Sequence, residues 1–403
     1  MLMVLAGGRR NTVTSKPNRN PNPTRMAQLP DVTPAHLAAF RQDLVDWYRA
    51  SARVLPWRET RDPYSIWLSE MMLQQTRVDQ ALPYYQRFLA AFPTVFDLAA
   101  APVDQVLKLW EGLGYYARAR NLHKAAQAVV EDFGGTFPKS EAEIRKLAGI
   151  GAYTAAAVLS IAYNVPLAVL DGNVIRVLAR VFALEADVKQ PKIRQLLQVR
   201  ANELLSYEAP GDFNQGIMEL GAITCTPRNP QCSRCPLQQV CTASQTHQTH
   251  IFPMSAKKAP IPHQHIAIGV ILNDDGLILI DRRPESGLLG GLWEFPGGKQ
   301  EAGETLPETC AREIREEVGI EVEVGDQFAQ VDHAYTHFKI TLHAFLCRLT
   351  SGTAASTNGE PVKWVSLAEL EAYAFPKANR HVIDRLHERL QMPTLFASPF
   401  PVR

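Results

Sequence analysis

The chain has 403 residues, 46% of them hydrophobic and 21% charged, with six cysteines and a formal net charge of +1 at pH 7. At roughly 150 residues per domain the length asks for two or three domains, and the composition excludes collagen-like, fully disordered and small disulfide-stapled classes. The near-neutral total conceals +6 over residues 1–242 and −5 over 243–403, so the first part suits a polyanionic partner and the second a divalent metal or a solvated surface.

Residues 1–30 hold five Lys/Arg, no Asp or Glu and the stretch NRNPNPTR, too little apolar surface to offset the entropy of ordering. They read as a disordered basic tail. The same composition fits an organelle transit peptide, or an upstream start with Met26 as the true first residue. No apolar run reaches the about 18 residues of a bilayer span, and MLMVLAGGRR lacks the order of a secretory signal. The expectation is a soluble intracellular protein.

Thr33-Pro34, an N-cap followed by proline at the first helical position, opens a pattern with Leu37, Phe40, Leu44, Trp47 and Tyr48 at helix spacing. Helical stretches follow at about 64–90, 102–110, 115–132, 140–147, 151–163, 171–183, 190–206 and 212–223, which predicts an all-α domain over 31–242. Two carboxylates stand out in it. Glu70 lies among Trp67, Leu68, Met71, Met72 and Leu73, where desolvation would raise its pKa and keep it protonated as a general acid. Asp171 precedes an apolar helix with Gly172 and Asn173; it reads as an N-cap, close to backbone N–H groups that stabilise the ionised form.

Cys225, Cys232, Cys235 and Cys241 give C-x6-C-x2-C-x5-C at the end of this domain. Four thiolates closing one short loop can ligate zinc or an iron–sulfur cube. Cys310 and Cys347 lie elsewhere and read as ordinary buried residues.

Residues 243–264 are polar, proline-containing and aperiodic, a linker pattern. Beyond it Ile266, Ile268, Val270 and Leu272 alternate, Asp274-Asp275-Gly276 turns, and Leu277–Ile280 returns, a hairpin signature. A helix at about 305–318, strands near 321–331, 338–349 and 362–365, and a last helix at about 378–390 complete a separate α+β domain over 265–392, with 393–403 as a tail. Gly298-x5-Glu304-x7-Arg312-Glu313-Ile314-Arg315-Glu316-Glu317-Val318-Gly319-Ile320 fits every position of the Nudix box. On a helix Glu313, Glu316 and Glu317 share one face, where they can bind Mg²⁺ near a pyrophosphate.

LPWR at 55–58, WLSEMMLQQTRV at 67–78, EGLGYYARARNL at 111–122, LAGIGAYTAA at 147–156 and LDGNVIRVLAR at 170–180, with the cysteine spacing, resemble the MutY family of adenine DNA glycosylases within the endonuclease III superfamily. The resemblance spans about residues 31–350 and implies a helix-hairpin-helix glycosylase domain with a 4Fe-4S loop at 225–241, followed by a Nudix-like domain that recognises 8-oxoguanine. It favours iron–sulfur over zinc. By resemblance Glu70 protonates N7 of adenine, Asp171 with Asn173 stabilises the oxocarbenium ion, and Gly149 and Gly151 form the hairpin turn that approaches a DNA phosphate. Where strand-cutting relatives carry a lysine, this chain has Tyr153, so no amine nucleophile is available and a monofunctional enzyme is expected, with Tyr153 supporting Asp171 or the sugar. Gln75 and Tyr115 fall at the wedge positions, Trp57, Arg58 and Leu73 at the adenine pocket, and Glu219 beside the flipped base.

In the second domain His333, Tyr335, Thr336 and His337 resemble the family's lesion-reading loop, with Thr336 where serine is common. LWEFPGGK at 292–299 and FPKAN at 375–379 resemble MutT, the Nudix enzyme that hydrolyses 8-oxo-dGTP, and put Asn379 at a base-recognition position. The family's box is usually degraded; here it is whole, so Mg²⁺-dependent nucleotide hydrolysis stands beside lesion recognition. The expected partner is double-stranded DNA with an A:8-oxoguanine or A:G mispair, met by a monomer in the cytoplasm at the nucleoid, with no membrane role and no protein partner legible. Two rivals are an endonuclease III-type pyrimidine glycosylase and lyase, which Tyr153 disfavours, and a non-catalytic DNA-binding redox sensor.

Overall fold

The computed structural model describes residues 29, 32–256, 261–335 and 338–391. The expected tails, apart from Leu29, and two loop candidates, Thr336 and His337, lie outside the described residues. In chain order the helices are α1 (Pro34–Ser51), α2 (Pro63–Leu73), α3 (Val78–Ala91), α4 (Val95–Ala100), α5 (Val103–Trp110), α6 (Ala117–Phe133), α7 (Glu141–Ile144), α8 (Ala152–Tyr163), α9 (Gly172–Val181), α10 (Pro191–Leu204), α11 (Pro210–Glu219), α12 (Thr242–Gln245), α13 (Leu306–Val318) and α14 (Lys377–Gln391). The strands are β1 (His263–Leu272), β2 (Ile278–Arg282), β3 (Trp293–Glu294), β4 (Gly297–Lys299), β5 (Glu321–Ala334), β6 (Lys339–Ser351) and β7 (Val362–Val365). No described helix is long and apolar enough to cross a membrane.

The chain forms two compact units, and neither is continuous. One comprises the residues up to Ala52 and Ala168–Lys258; the other comprises Arg53–Leu167 and the residues from Ala259 onward. In the first, Thr33 caps α1 by accepting from the His36 N–H at 3.3 Å, with Pro34 at the first position as its sequence predicts. The buried stripe of α1 lies on α11: the Phe40 and Phe213 rings are 6.1 Å apart, and Gly216 admits Tyr48 so closely that an added Cβ would meet it at 3.1 Å. The hub of this unit is Arg180, which is fully buried and donates to the carbonyls of Thr226 (2.7 Å), Thr249 and Phe252 (both 3.1 Å).

That hub corrects the linker expectation for 243–264. Residues up to Met254 pack on the helices: Ala243 and Phe252 are buried, and the Val188 N–H donates to the Met254 carbonyl. A buried guanidinium needs carbonyl acceptors, and an irregular polar segment supplies them where a helix cannot. His263 and Gln264 already belong to β1.

In the second unit, α2 is capped by Asp62, whose carboxylate accepts the Tyr64 and Ser65 N–H groups, and starts on Pro63. Its residues Tyr64 and Ile66–Met72 are all buried, Trp67 against Phe137. The stretch expected as one helix over 64–90 is two, α2 and α3, separated by a turn in which Gln75 takes φ 58°. The carbonyls of Met71, Met72 and Gln74 at that break are taken by the Arg118 guanidinium at 2.6–2.9 Å. The helix α4, absent from the sequence-based elements, is nucleated by a Thr94/Asp97 capping box, and the expected 140–147 helix is only the single turn α7.

The sheet of this unit runs β3-β2-β1-β6-β5, with β4 on β1 and β7 on β2; β1 and β6 are parallel and the other pairs antiparallel. Both faces are covered. Ile268, Val270, Leu342 and Leu346 pack with Val382, Ile383 and Leu386 of α14, while Ala267, Ile271 and Phe345 pack with Cys310, Ile314 and Val318 of α13. This arrangement fixes α13, carrying the Nudix box, between its Thr305/Glu308 capping box and Gly319 at φ 69°.

Candidate active site

Glu70 is the last polar residue of a helix buried along most of its length, and only 5% of it is exposed. Its Oε2 accepts the Tyr153 hydroxyl at 2.6 Å. Tyr153 is the second residue of α8, directly after the turn in which Gly149 has φ 75° and Gly151 caps the helix. A Cβ at Gly149 would sit 2.8 Å from Asn121 Cβ and 3.2 Å from the Met71 terminal methyl, so only glycine lets the turn lie this close to α2. The tight turn is therefore what brings Tyr153 to Glu70.

In the other unit Asp171 is an N-cap, as its sequence context suggests: Oδ1 accepts the Val174 N–H at 2.7 Å and Oδ2 the Asn173 amide at 2.9 Å. Burial nevertheless raises its pKa above the usual aspartate value, outweighing those hydrogen bonds and the nearby Arg176 charge. The direction is opposite to the expectation from N–H stabilisation alone. Arg176 extends the contact chain, donating to Asn173 Oδ1 at 2.8 Å, the Gly221 carbonyl at 2.7 Å and the Cys225 carbonyl at 2.8 Å.

Cys225, Cys232, Cys235 and Cys241 line one small cavity and form no disulfide. Burial, together with the neighbouring thiols, pushes Cys235 up to about 12 and Cys241 up to about 11. With Cys235 and Cys241 held towards the protonated form, the four sulfurs become thiolates together only around a cationic centre, which is the donor chemistry of an iron–sulfur cluster. The Arg180 guanidinium lies 3.3 Å from the Cys225 sulfur, a further charge suited to a thiolate.

Gln75 and Tyr115, the wedge candidates, both have left-handed backbones (φ 58° and 50°). Arg118 holds both turns: it donates to the Gln74 carbonyl at 2.6 Å, to Thr76 Oγ1 at 3.2 Å and to the Gly114 carbonyl at 3.0 Å, and burial lowers its pKa to about 10. Gln75 and Tyr115 line a cavity of about 490 Å³ whose other side comes from the Nudix part, with His333, Tyr335, Leu288 and Lys377. Residues more than 200 positions apart thus share one pocket. Tyr335 stands edge-on to His333 (4.6 Å) and stacks on Phe338 (4.8 Å). Burial raises the Tyr335 phenol to about 12, and burial with Lys377 and His381 lowers His333, which favours the neutral ring.

The three Nudix carboxylates separate instead of pooling. Arg312 grips Glu304 with two nitrogens (2.6 and 3.0 Å) and reaches Glu313 at 3.0 Å and Glu316 at 3.2 Å. Glu317 turns inward and accepts the Gly297 N–H at 2.9 Å. Among the described residues no three acidic side chains group to hold a metal ion. Helix spacing places three carboxylates near one another, but the box's own arginine and a strand N–H compete for them. Burial and Glu294 push Glu317 up to about 7. Asn379 is buried in the same domain with its Nδ2 lacking a hydrogen-bond partner.

Of the expected adenine-pocket residues, Trp57 is core, buried edge-on against Tyr85 at 5.1 Å. Arg58 donates to the Arg53 carbonyl, Leu73 is half-buried at the end of α2, and Glu219 is buried at the end of α11. The sequence reading passed over Arg118, Arg176, Arg180 and Glu111. For the three arginines the available signal was a basic side chain on a helical position that the apolar pattern assigns to the interior; Glu111, just past the end of α5, gave none.

The sequence matches known families in three places. Residues 68–203 match the HhH-GPD superfamily of base excision DNA repair proteins, 225–241 the iron-sulfur binding domain of endonuclease III, and 267–385 the NUDIX domain. The class is thus a helix-hairpin-helix base excision repair protein with a 4Fe-4S loop and a Nudix domain. More narrowly, the chain belongs to the adenine DNA glycosylase family. It is 34% identical over 421 residues to the adenine DNA glycosylase of Rattus norvegicus (91% of this chain, 81% of that protein) and 34% identical over 420 residues to that of Homo sapiens (90% and 77%). A thermostable thymine-DNA glycosylase structure is 30% identical, covering 54% of this chain and 100% of its own with a TM-score of 0.49.

Proposed function

We propose that the chain is a monofunctional glycosylase that hydrolyses the N-glycosidic bond of adenine mispaired with 8-oxoguanine or guanine in DNA, leaving an abasic site. The observation that carries this reading is Glu70, a carboxyl buried in an apolar helix with one oxygen committed to the Tyr153 hydroxyl at 2.6 Å. A neutral purine leaves only when protonated and when the charge growing on the sugar is compensated. Glu70 serves as the acid, and Asp171, oriented by Asn173, as the anion. With Tyr153 where a lysine would act, no Schiff base forms and the strand stays uncut.

Extruding the base costs about a few kcal/mol and leaves a gap. Gln75 and Tyr115, projected by their left-handed backbones, fill it, while His333 and Tyr335 read the opposite base. Cys225, Cys232, Cys235 and Cys241 would hold the 4Fe-4S cluster, which when bound would supply a cationic anchor for their thiolates and so for the loop. The decisive test is Glu70→Gln. Adenine release in single turnover should fall by about 10²–10⁴-fold while mispair binding persists; unchanged release would remove Glu70 from the reaction.

A second reading concerns the Nudix domain, and the unpartnered Asn379 Nδ2 favours it: a buried amide donor suits the acceptor edge of a bound base. In this reading the domain also hydrolyses 8-oxo-dGTP to the monophosphate with Mg²⁺. Incubation with 8-oxo-dGTP and Mg²⁺, beside a Glu316→Gln/Glu317→Gln control, should show monophosphate release that the control loses. No release with adenine excision intact would leave the domain as a reader of the lesion alone.

A further inference from the structure

We propose that Glu111 is a positioning residue for lesion discrimination, setting the loop that carries Tyr115 in register with the segment that carries Lys377, the two walls of the 490 Å³ cavity. This rests on the reading of that cavity as the place where the base opposite adenine is recognised.

Glu111 follows α5 and directly precedes Gly112, Gly114 and Tyr115, which line the cavity. Its side chain, 17% exposed, collects three donors: Arg380 Nε at 2.6 Å and the Phe375 N–H at 2.8 Å on Oε1, and Lys108 Nζ at 2.9 Å on Oε2. Lys108 and Arg380 also converge on the Tyr373 carbonyl, at 3.0 and 2.5 Å. One carboxylate therefore clamps residues 373–375, two positions before Lys377. The clamp is anchored at its own backbone as well. Tyr84 donates its hydroxyl to the Glu111 carbonyl at 2.9 Å, and the Gly112 N–H donates to the Tyr116 hydroxyl at 3.0 Å. A Cβ at Gly112 would fall 2.4 Å from the Tyr84 oxygen, so the loop has no room to slide.

Charge-assisted bonds shielded from water are stiffer than surface ion pairs such as Lys124–Glu285, whose side chains are both half or more exposed. The clamp is made of Glu111, Lys108, Phe375 and Arg380, none of which takes part in base release. Its loss should therefore loosen the opposite-base wall and spare the chemistry.

Single-turnover adenine excision on A:8-oxoguanine and A:G duplexes, with iron–sulfur absorbance and Tm as folding controls, tests this. Glu111→Gln should lower the preference for A:8-oxoguanine by about tenfold while the A:G rate stays within about twofold. Arg380→Gln breaks the same bond from the other side and should act alike, and the double variant should add little. Lys124→Ala should leave the preference intact. An unchanged preference in both single variants, or equal slowing on both duplexes, would overturn the proposal. A wild-type chain without any preference for 8-oxoguanine would overturn the lesion reading itself, and the proposal with it.

Discussion

Burial raises the proton affinity of Asp171, and bonds from Val174 N–H and the Asn173 amide pull it back only in part. An anion role requires the ionised form, so base release should fall as pH drops through that raised value. Asn173→Ala removes one of the lowering bonds. Its acid limb should therefore move to higher pH than in the wild type, read from single-turnover rates across pH. A limb that stays in place would assign it to another group. At this scale the sequence was informative about residue types and silent about partners. Glu70, Tyr153, Asp171 and Asn173 could be named, yet which of them Tyr153 serves depends on how closely Gly149 lets one helix approach another.

Along α13 the box residues are legible to the last position, but their directions are not. Glu317 faces inward, and burial with Glu294 holds its carboxyl near 7 against an ordinary value of 4.5. A raised folded-state pKa contributes stability that is fully present below about 4.5 and is lost as pH rises through about 7. Glu317→Gln should then raise Tm at pH 8, leave it nearly unchanged at pH 4.5, and flatten the slope between, measurable by thermal unfolding in a pH series. The long helices α1, α6 and α10 were legible because one apolar stripe per helix suffices to define them. The break between α2 and α3 was not. Leu73-Gln74-Gln75-Thr76 holds neither Gly nor Pro, and the turn exists because Arg118, more than 40 residues later, takes the carbonyls of Met71, Met72 and Gln74. A periodicity has no term for a distant guanidinium.

At the scale of the whole molecule the expected boundary between a helical and a Nudix domain does not coincide with the compact units, since Arg53–Leu167 groups with the residues from Ala259 onward. A fragment ending at residue 256 keeps α1–α12 but strips residues 53–167 of the partners of Lys108, Glu111 and Lys124, and of the Gly290 carbonyl that Arg120 binds. It should unfold about 2–8 °C below the full chain, the loss of on the order of 1–2 kcal/mol. It should also excise from A:G and A:8-oxoguanine at similar rates. An undiminished Tm would show that those bonds add nothing to the helices. The α1–α11 contact also sets a timetable. The apolar stripe of α1 closes on Phe213 and Gly216, which leave the ribosome about 170 residues later, so at roughly 5–20 residues per second the first helix waits about nine to thirty-four seconds for its partner. During that interval Phe40, Leu44 and Tyr48 are a hydrophobic face on a nascent chain, and the segments made meanwhile, α2 through α8, can condense on themselves before the unit that began first can finish.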